Sequence, residues 1–309
     1  MFIQATVALN SPSPQDVLSY LRQQLTCPND LYDSEAIVRY GAFVGSKIES
    51  HDFLDRAMIY ARTRIELLGA SGNSVDSGTV ILADTMSHSK GRFSREWHAP
   101  AGGVWGCMIH ANTLLPQSRC FVPLAVGVAC CEAVHEMGGN TAVLRWVNDV
   151  LVEGKKLAGF LVETYTESLY GEEYNLVGFG VNINNGHFPG ELSHTAVSLG
   201  EVLGTAVNLT QFTSLFLARL AWNFGLLYYE ESCALRDEGF SGQDGNHLLL
   251  DQWRRLSDTV GKRVVYGFDV MNSPQYKGTV LRMDENGGLV LRLDDGFEKT
   301  EYSGEVRYL

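Results

Sequence analysis

The stretch from 142 to 182 constrains the fold most. It places apolar, β-branched segments at 142–146, 150–152, 156–163 and 175–182, the first three in close succession. Alternation and β-branching of this kind read as strands, and the pattern strand, tight turn, strand puts a sheet at the middle of the chain. Further strands are expected at 7–9, 37–43, 79–84 and 104–111. Helices are expected from Ser13-Pro14-Gln15-Asp16 onward with Val17, Leu18 and Leu21 on one face, and at 53–68, 123–137, 211–230 and 248–256. Residues 27–30 and 69–78 read as breaks, and 86–100, polar and basic, as a functional loop.

The tail changes character. From Gly261 the chain runs in β-branched segments at 263–268, 276–283, 288–293 and 298–306. Asn286-Gly287 and Asp295-Gly296 supply the positive φ angles of hairpin turns. Short strands at this density suggest a small SH3-like barrel. Three regions result: an extension over 1–35 of unassigned role, a body over 36–257 and a barrel over 258–309.

Bulk properties exclude several classes. A formal net charge of -12 argues against a protein whose main work is binding nucleic acid. Of the six cysteines none forms a C-x-x-C pair and no histidine cluster joins them, so a zinc site is not expected. Cys107, Cys130 and Cys131 sit among apolar residues and read as core fillers, and a reducing cytoplasm fits. The apolar run at 120–131, interrupted by Pro123, is too short to span a bilayer, and Met1-Phe2-Ile3-Gln4 does not open a signal peptide.

Three strings carry chemistry. In Ser89-Lys90-Gly91-Arg92-Phe93-Ser94-Arg95-Glu96-Trp97, three cations surround a glycine and a tryptophan follows. Glycine lets backbone N–H groups approach a phosphate, arginine binds oxygens in pairs, and the indole offers a flat face to a purine. Alone, such a loop reads equally as a phosphate cradle or a basic surface turn. The second string is Arg145-Trp146-Val147-Asn148-Asp149 followed by Lys155-Lys156-Leu157-Ala158-Gly159-Phe160-Leu161-Val162-Glu163. A lysine heading an apolar strand, with Gly159 leaving room beside it, is placed to meet an anion. The third is Gly178-Phe179-Gly180-Val181-Asn182. Its glycines mark close approach of a backbone or ligand, but it has no third glycine and no helix directly after it, as a dinucleotide fingerprint requires.

In this order and separation the strings resemble the biotin–protein ligase family. Its G-R-G-R-x-G-R-x-W, K-W-P-N-D, K-L-A-G-I-L-V-E and G-x-G-x-N stand here as S-K-G-R-F-S-R-E-W, R-W-V-N-D, K-L-A-G-F-L-V-E and G-F-G-V-N. The resemblance covers roughly 40–309. It implies an α+β fold, a mixed-sheet ligase domain with helices followed by the SH3-like domain, without a DNA-binding head. It also implies a two-step reaction in the cytoplasm: biotin and ATP give an acyl-adenylate, and the acyl group passes to a lysine of an acceptor carrier protein. A homodimer is compatible with it.

By the match, Lys156 bridges carboxylate and α-phosphate, and Arg92 acts with it. Ser50, His51, Met86, Lys90, Gly91, Gly159 and Leu161 belong to the acid site. Arg95, Trp97, Asn148, Asp149 and Asn182 orient the nucleotide, Asp149 being the residue that could meet its Mg²⁺. Departures cluster at the acid end. The family's S-T-N reads Ser50-His51-Asp52, its glutamine before the loop reads Met86, and Ser89, Lys90, Ser94 and Val147 replace Gly, Arg, Gly and Pro. Two alternatives follow: a related ligase for lipoate or another small acid, or a non-catalytic protein that binds an acid or its adenylate.

Overall fold

A computed structural model describes residues 11–26, 32–147, 149–190, 192–236 and 247–309. The elements run α1 (Pro14–Gln23), α2 (Ser34–Gly41), β1 (Ile48–Leu54), α3 (Ala57–Ala70), β2 (Thr79–Met86), β3 (Val104–Ala111), α4 (Val122–Glu136), β4 (Ala142–Arg145), β5 (Asp149–Val152), β6 (Lys155–Thr166), β7 (Glu173–Val181), α5 (Leu192–Thr195), α6 (Leu199–Leu203), α7 (Leu209–Leu235) and α8 (Leu248–Leu256). Five short strands close the chain: β8 (Arg263–Gly267), β9 (Tyr276–Met283), β10 (Leu289–Leu293), β11 (Glu298–Glu301) and β12 (Glu305–Tyr308).

Strands β1 to β7 form one mixed sheet in the order β1-β2-β3-β7-β6-β5-β4, with β1 and β2 parallel and the other neighbours antiparallel. Side chains alternate between its faces. Val80, Leu82, Val104, Met108, Phe160, Val177 and Phe179 join the core built with α4 and α7. Ile81, Cys107, Ile109 and Leu176 face the other way, toward Ala57, Met58, Ala61 and Ile65 of α3. One face is thus roofed by long helices. The second is roofed by α3 over part of its length, and the loop between β2 and β3 reaches the rest.

The C-terminal strands form a five-stranded antiparallel sheet in the order β11-β10-β9-β8-β12. It is tied to the body: the Trp146 indole donates to the Gly287 carbonyl at 3.1 Å, and Thr259 Oγ1 donates to the Leu144 carbonyl at 3.4 Å. The expected last strand, 298–306, divides in two around Gly304, whose φ of 102° no side chain would tolerate beside the Tyr266 ring.

Two expectations need correction. The segment 37–43, expected as a strand, is helical to Gly41 and then turns. Asp33 caps α2 by accepting from the Ala36 N–H at 3.0 Å, and Gly41 and Gly225 let α2 and α7 touch backbone to backbone. The helix expected at 53–68 starts only at Ala57, because 48–54 is the edge strand β1. Its polar run Glu49-Ser50-His51-Asp52 lacks the alternation of a buried strand, since an edge strand has only one paired side. The strand expected at 7–9 and the break at 27–30 lie outside the described residues. Among the described residues no helix is long and apolar enough to cross a membrane.

Candidate active site

The register of the sheet assembles the site. Asp149 of β5 is paired with Gly159 of β6, Gly159 with Gly180 of β7, Gly180 with Trp105 of β3, Trp105 with Ala83 of β2, and Ala83 with His51 of β1. These residues form one transverse row. At its centre the two glycines remove all side-chain bulk, and Trp97 fills the space. A Cβ on Gly180 would come within 2.6 Å of the indole Nε1 and Cε2, and one on Gly159 within 3.1 Å of Cζ3. The close approach expected at these glycines is therefore made by a side chain of the same protein. Gly178, one step along β7, is covered in the same way by Met58, with Sδ at 2.8 Å from the position of a Cβ.

Charge gathers at the β5–β6 end of this row. Lys156 Nζ lies 2.7 Å from Asp149 Oδ1 and 5.3 Å from the centre of the Trp97 ring. Arg145, cross-strand from Asp149, holds the other carboxylate oxygen. Burial alone would raise the Asp149 pKa. The two cations outweigh it and bring the value down to about 2. Burial lowers the Arg92 pKa, opposed by the carboxylates of Glu305 and Asp149, so this guanidinium sits in a desolvated position within the field of the same acids. A lysine and two arginines, set against the carboxylates of Asp149 and Glu305, leave a surplus of positive charge in this cluster.

Arg95 turns elsewhere. It binds Asp269 at 2.7 Å and Glu305 at 2.9 Å, both on the C-terminal sheet side, and so anchors the basic loop to that unit. Lys90 is exposed and bridges backbone to backbone with Glu96, while the Gly91 N–H donates to the Arg95 carbonyl at 2.8 Å. Asn182 donates to the Lys156 carbonyl at 3.4 Å and accepts from Asn185 Nδ2 at 2.8 Å, which fixes the strand after Lys156. Asn148 lies outside the described residues.

The acid end is apolar. Met86 Sδ accepts from the Ala57 N–H at 3.3 Å, at the start of α3, where Arg56 provides no side-chain cap. Leu161 packs with Met86, Leu54, Tyr60 and Tyr165 against the α3 core. His51 stands edge-on to Tyr60 at 4.7 Å, with Nε2 buried and without a hydrogen-bond partner. Ser50 is not brought to this row. Paired with Leu82, it points to the opposite face and is exposed. A cavity of about 660 Å³ opens beside the β5–β6 hairpin, lined by Val152, Glu153, Lys155, His187, Phe188 and Val202, and none of Lys156, Arg92 or Trp97 lines it.

The residue-by-residue reading missed Arg145, Met58 and the pair Asp269 and Glu305. Arg145 stood in the sequence four residues before Asp149 across a tight turn, which was signal enough. Met58 and Asp269 are brought in by packing across elements distant in sequence.

Residues 62–184 match the biotin/lipoate A/B protein ligase family model. This part of the chain is similar to the biotin/lipoate ligase domain. It contains all three strings and most of the sheet. The bifunctional ligase/repressor BirA of Bacillus subtilis is 28% identical over 279 residues, covering 88% of this chain and 78% of its own. The biotin–[acetyl-CoA-carboxylase] ligase of Mycobacterium tuberculosis is 25% identical over 236 residues, covering 74% and 79%. Among solved structures, the biotin protein ligase of Aquifex aeolicus in complex with biotin and ATP shares the fold with a TM-score of 0.64 at 21% identity, covering 85% of this chain and 98% of its own.

Proposed function

We propose that this ligase domain adenylates biotin with ATP and transfers the biotinyl group to a lysine of an acceptor carrier domain. The observation that carries the reading is the position of Lys156. It heads an apolar strand, over a glycine row, paired with the Asp149 carboxylate whose field the half-buried Arg92 shares. The relatives named as biotin ligases support it.

In the first step a carboxylate oxygen attacks the α-phosphorus of ATP, a C–O–P bond forms and pyrophosphate leaves. Carboxylate and triphosphate repel each other, and cations fixed between them offset that repulsion without reorganising. Lys156 and Arg92 take this role, and Arg145 keeps Asp149 ionised so that Lys156 stays oriented. In the second step the acceptor amine attacks the acyl carbon and AMP leaves. The loop at 90–97, anchored through Arg95, shields the adenylate from water.

Mg²⁺ enters as the counter-ion of the ATP phosphates, which suits its preference for phosphate oxygens and retained waters. Asp149 is a poor direct ligand for it, since both its oxygens already face cations. The reading takes 36–257 as the catalytic domain and 258–309 as an SH3-like domain, in a cytoplasmic enzyme that can pair as a homodimer.

The test is biotin-dependent ATP–pyrophosphate exchange by the purified protein, with lipoate and octanoate as comparators. Exchange with biotin supports the reading, and its absence contradicts it. Met86 favours the second reading, a ligase for lipoate or a similar acid. Its sulfur is committed to Ala57, so it offers the acid only an apolar surface. Exchange with lipoate and none with biotin would select that reading.

A further inference from the structure

We infer that Asn185 is a positioning residue for the reaction: through Asn182 it holds the β-bulge at Leu157 that turns Lys156 onto the face of the site. The inference rests on the ligase reading above, in which Lys156 meets the reacting groups, and deepens it.

Lys156 and Gly159 stand three residues apart, and in a regular strand they would point to opposite faces of the sheet. Here they share a face. A Cβ on Gly159 would lie 2.8 Å from Lys156 Cε and 3.0 Å from Nζ. The pairing of β6 with β5 gives the cause. Val150 is opposite Ala158 and Leu151 is opposite Lys156, so Leu157 is an extra residue. Leu157 and Ala158, although adjacent, both enter the core on the helix-covered face. A bulge of this kind re-aims a side chain, and this one brings Lys156 Nζ to Asp149 Oδ1 at 2.7 Å.

The other side of β6 secures the bulge. Pairing with β7 ends at Ala158 and Val181. Beyond it, the Leu157 carbonyl accepts from the Asn182 N–H at 2.9 Å, and the Lys156 carbonyl from the Val197 N–H at 3.1 Å and from Asn182 Nδ2 at 3.4 Å. Main chain and side chain of Asn182 thus hold both carbonyls of the bulge.

The Asn182 amide can do this in one orientation only, and Asn185 sets it. The Ile183 N–H, which can only donate, meets Asn185 Oδ1 at 3.0 Å, so Asn185 Nδ2 faces Asn182. It donates to Asn182 Oδ1 at 2.8 Å, which leaves Asn182 Nδ2 for Lys156. Both asparagines are buried, so water does not compete for these bonds. The turn that carries Asn185 is fixed in its own right. The Asn184 N–H donates to the Gly102 carbonyl at 2.7 Å, and the Asn184 side chain bonds the Val207 carbonyl and N–H at 2.8 and 2.9 Å.

The test is biotin-dependent ATP–pyrophosphate exchange by the full chain carrying Asn185→Ala. The expected result is a kcat about tenfold lower, with KM for ATP and for biotin within about twofold of wild type, because alignment of Lys156 in the transition state is what is lost. Asn185→Ala is then combined with Lys156→Ala. If Asn185 acts through Lys156, the residual rate of Lys156→Ala does not change further, whereas a merely structural effect lowers it about tenfold again. Asn185→Asp keeps an acceptor for the Ile183 N–H and, once ionised, has no donor for Asn182. It gives the same loss of kcat at alkaline pH, and replaces Asn185→Ala in the cycle should that variant melt below the assay temperature.

An unchanged kcat, a KM for ATP that rises while kcat holds, or additive losses in the double variant overturn the inference and leave the ligase reading intact. A wild-type chain without exchange overturns both.

Discussion

Replacing Asp149 by Asn tests the electrostatic core of the site. The Asp149 carboxylate is buried, 2.7 Å from Lys156 Nζ and also bound by Arg145, and its pKa falls from 3.8 to about 2. That depression corresponds to about 2 kcal/mol of stabilisation by the ionised form. Because the folded value lies below the unfolded one, the stabilisation is complete above about pH 5 and disappears as pH falls from about 4 toward 2. Asp149→Asn loses it at neutral pH and leaves two half-buried cations without a counter-charge, so the total cost is about 2–4 kcal/mol. Urea unfolding followed by tryptophan fluorescence, from pH 7 down to pH 3, measures it. The variant should be less stable by that amount at pH 7, and the gap to wild type should narrow in the most acidic samples. Equal stability at pH 7, or a gap that stays constant with pH, would refute the pairing described here.

Two further perturbations follow from the geometry. Gly180→Ala places a methyl 2.6 Å from the Trp97 indole and is expected to cost about 1–3 kcal/mol, whereas Gly178→Ala meets chiefly the flexible Met58 thioether, with the Leu161 carbonyl at 3.3 Å, and should cost less; thermal melts of both variants check the order. Arg95→Ala releases the basic loop from Asp269 and Glu305, so limited chymotrypsin cleavage at Phe93 or Trp97 should accelerate about fivefold, the equivalent of about 1 kcal/mol, with little change in global stability.

Much of this molecule was legible before the structure. The strand at 104–111 and the helix at 248–256 coincide with β3 and α8, because apolar runs bounded by turn residues admit few other readings. Cys107, Cys130 and Cys131 are buried as expected, with thiol pKa values pushed up by burial. Lys156 and Gly159 were placed by pattern and stand together. Edge strand β1 was illegible, since solvent on its open side removes the alternation that marks a strand. Helix α2 was misread because Ile37 and Val38 favour strands locally, while a cap at Asp33 and a glycine contact with α7, far along the chain, decide the outcome. The partner of the Gly180 surface was also hidden. A glycine in a strand reports that something comes close, and only the fold reveals that it is Trp97.

The most direct test of the central claim is transfer itself. The purified chain is incubated with ATP, Mg²⁺, biotin and a biotin-accepting carrier domain, and the carrier is assayed by mass spectrometry and avidin blot, alongside Lys156→Ala. The account predicts a biotinyl group on one carrier lysine with the wild-type chain, and at least a hundredfold slower modification with Lys156→Ala, whose fold by circular dichroism is unchanged. An unmodified carrier with the wild-type chain, or a Lys156→Ala variant as fast as wild type, would contradict it.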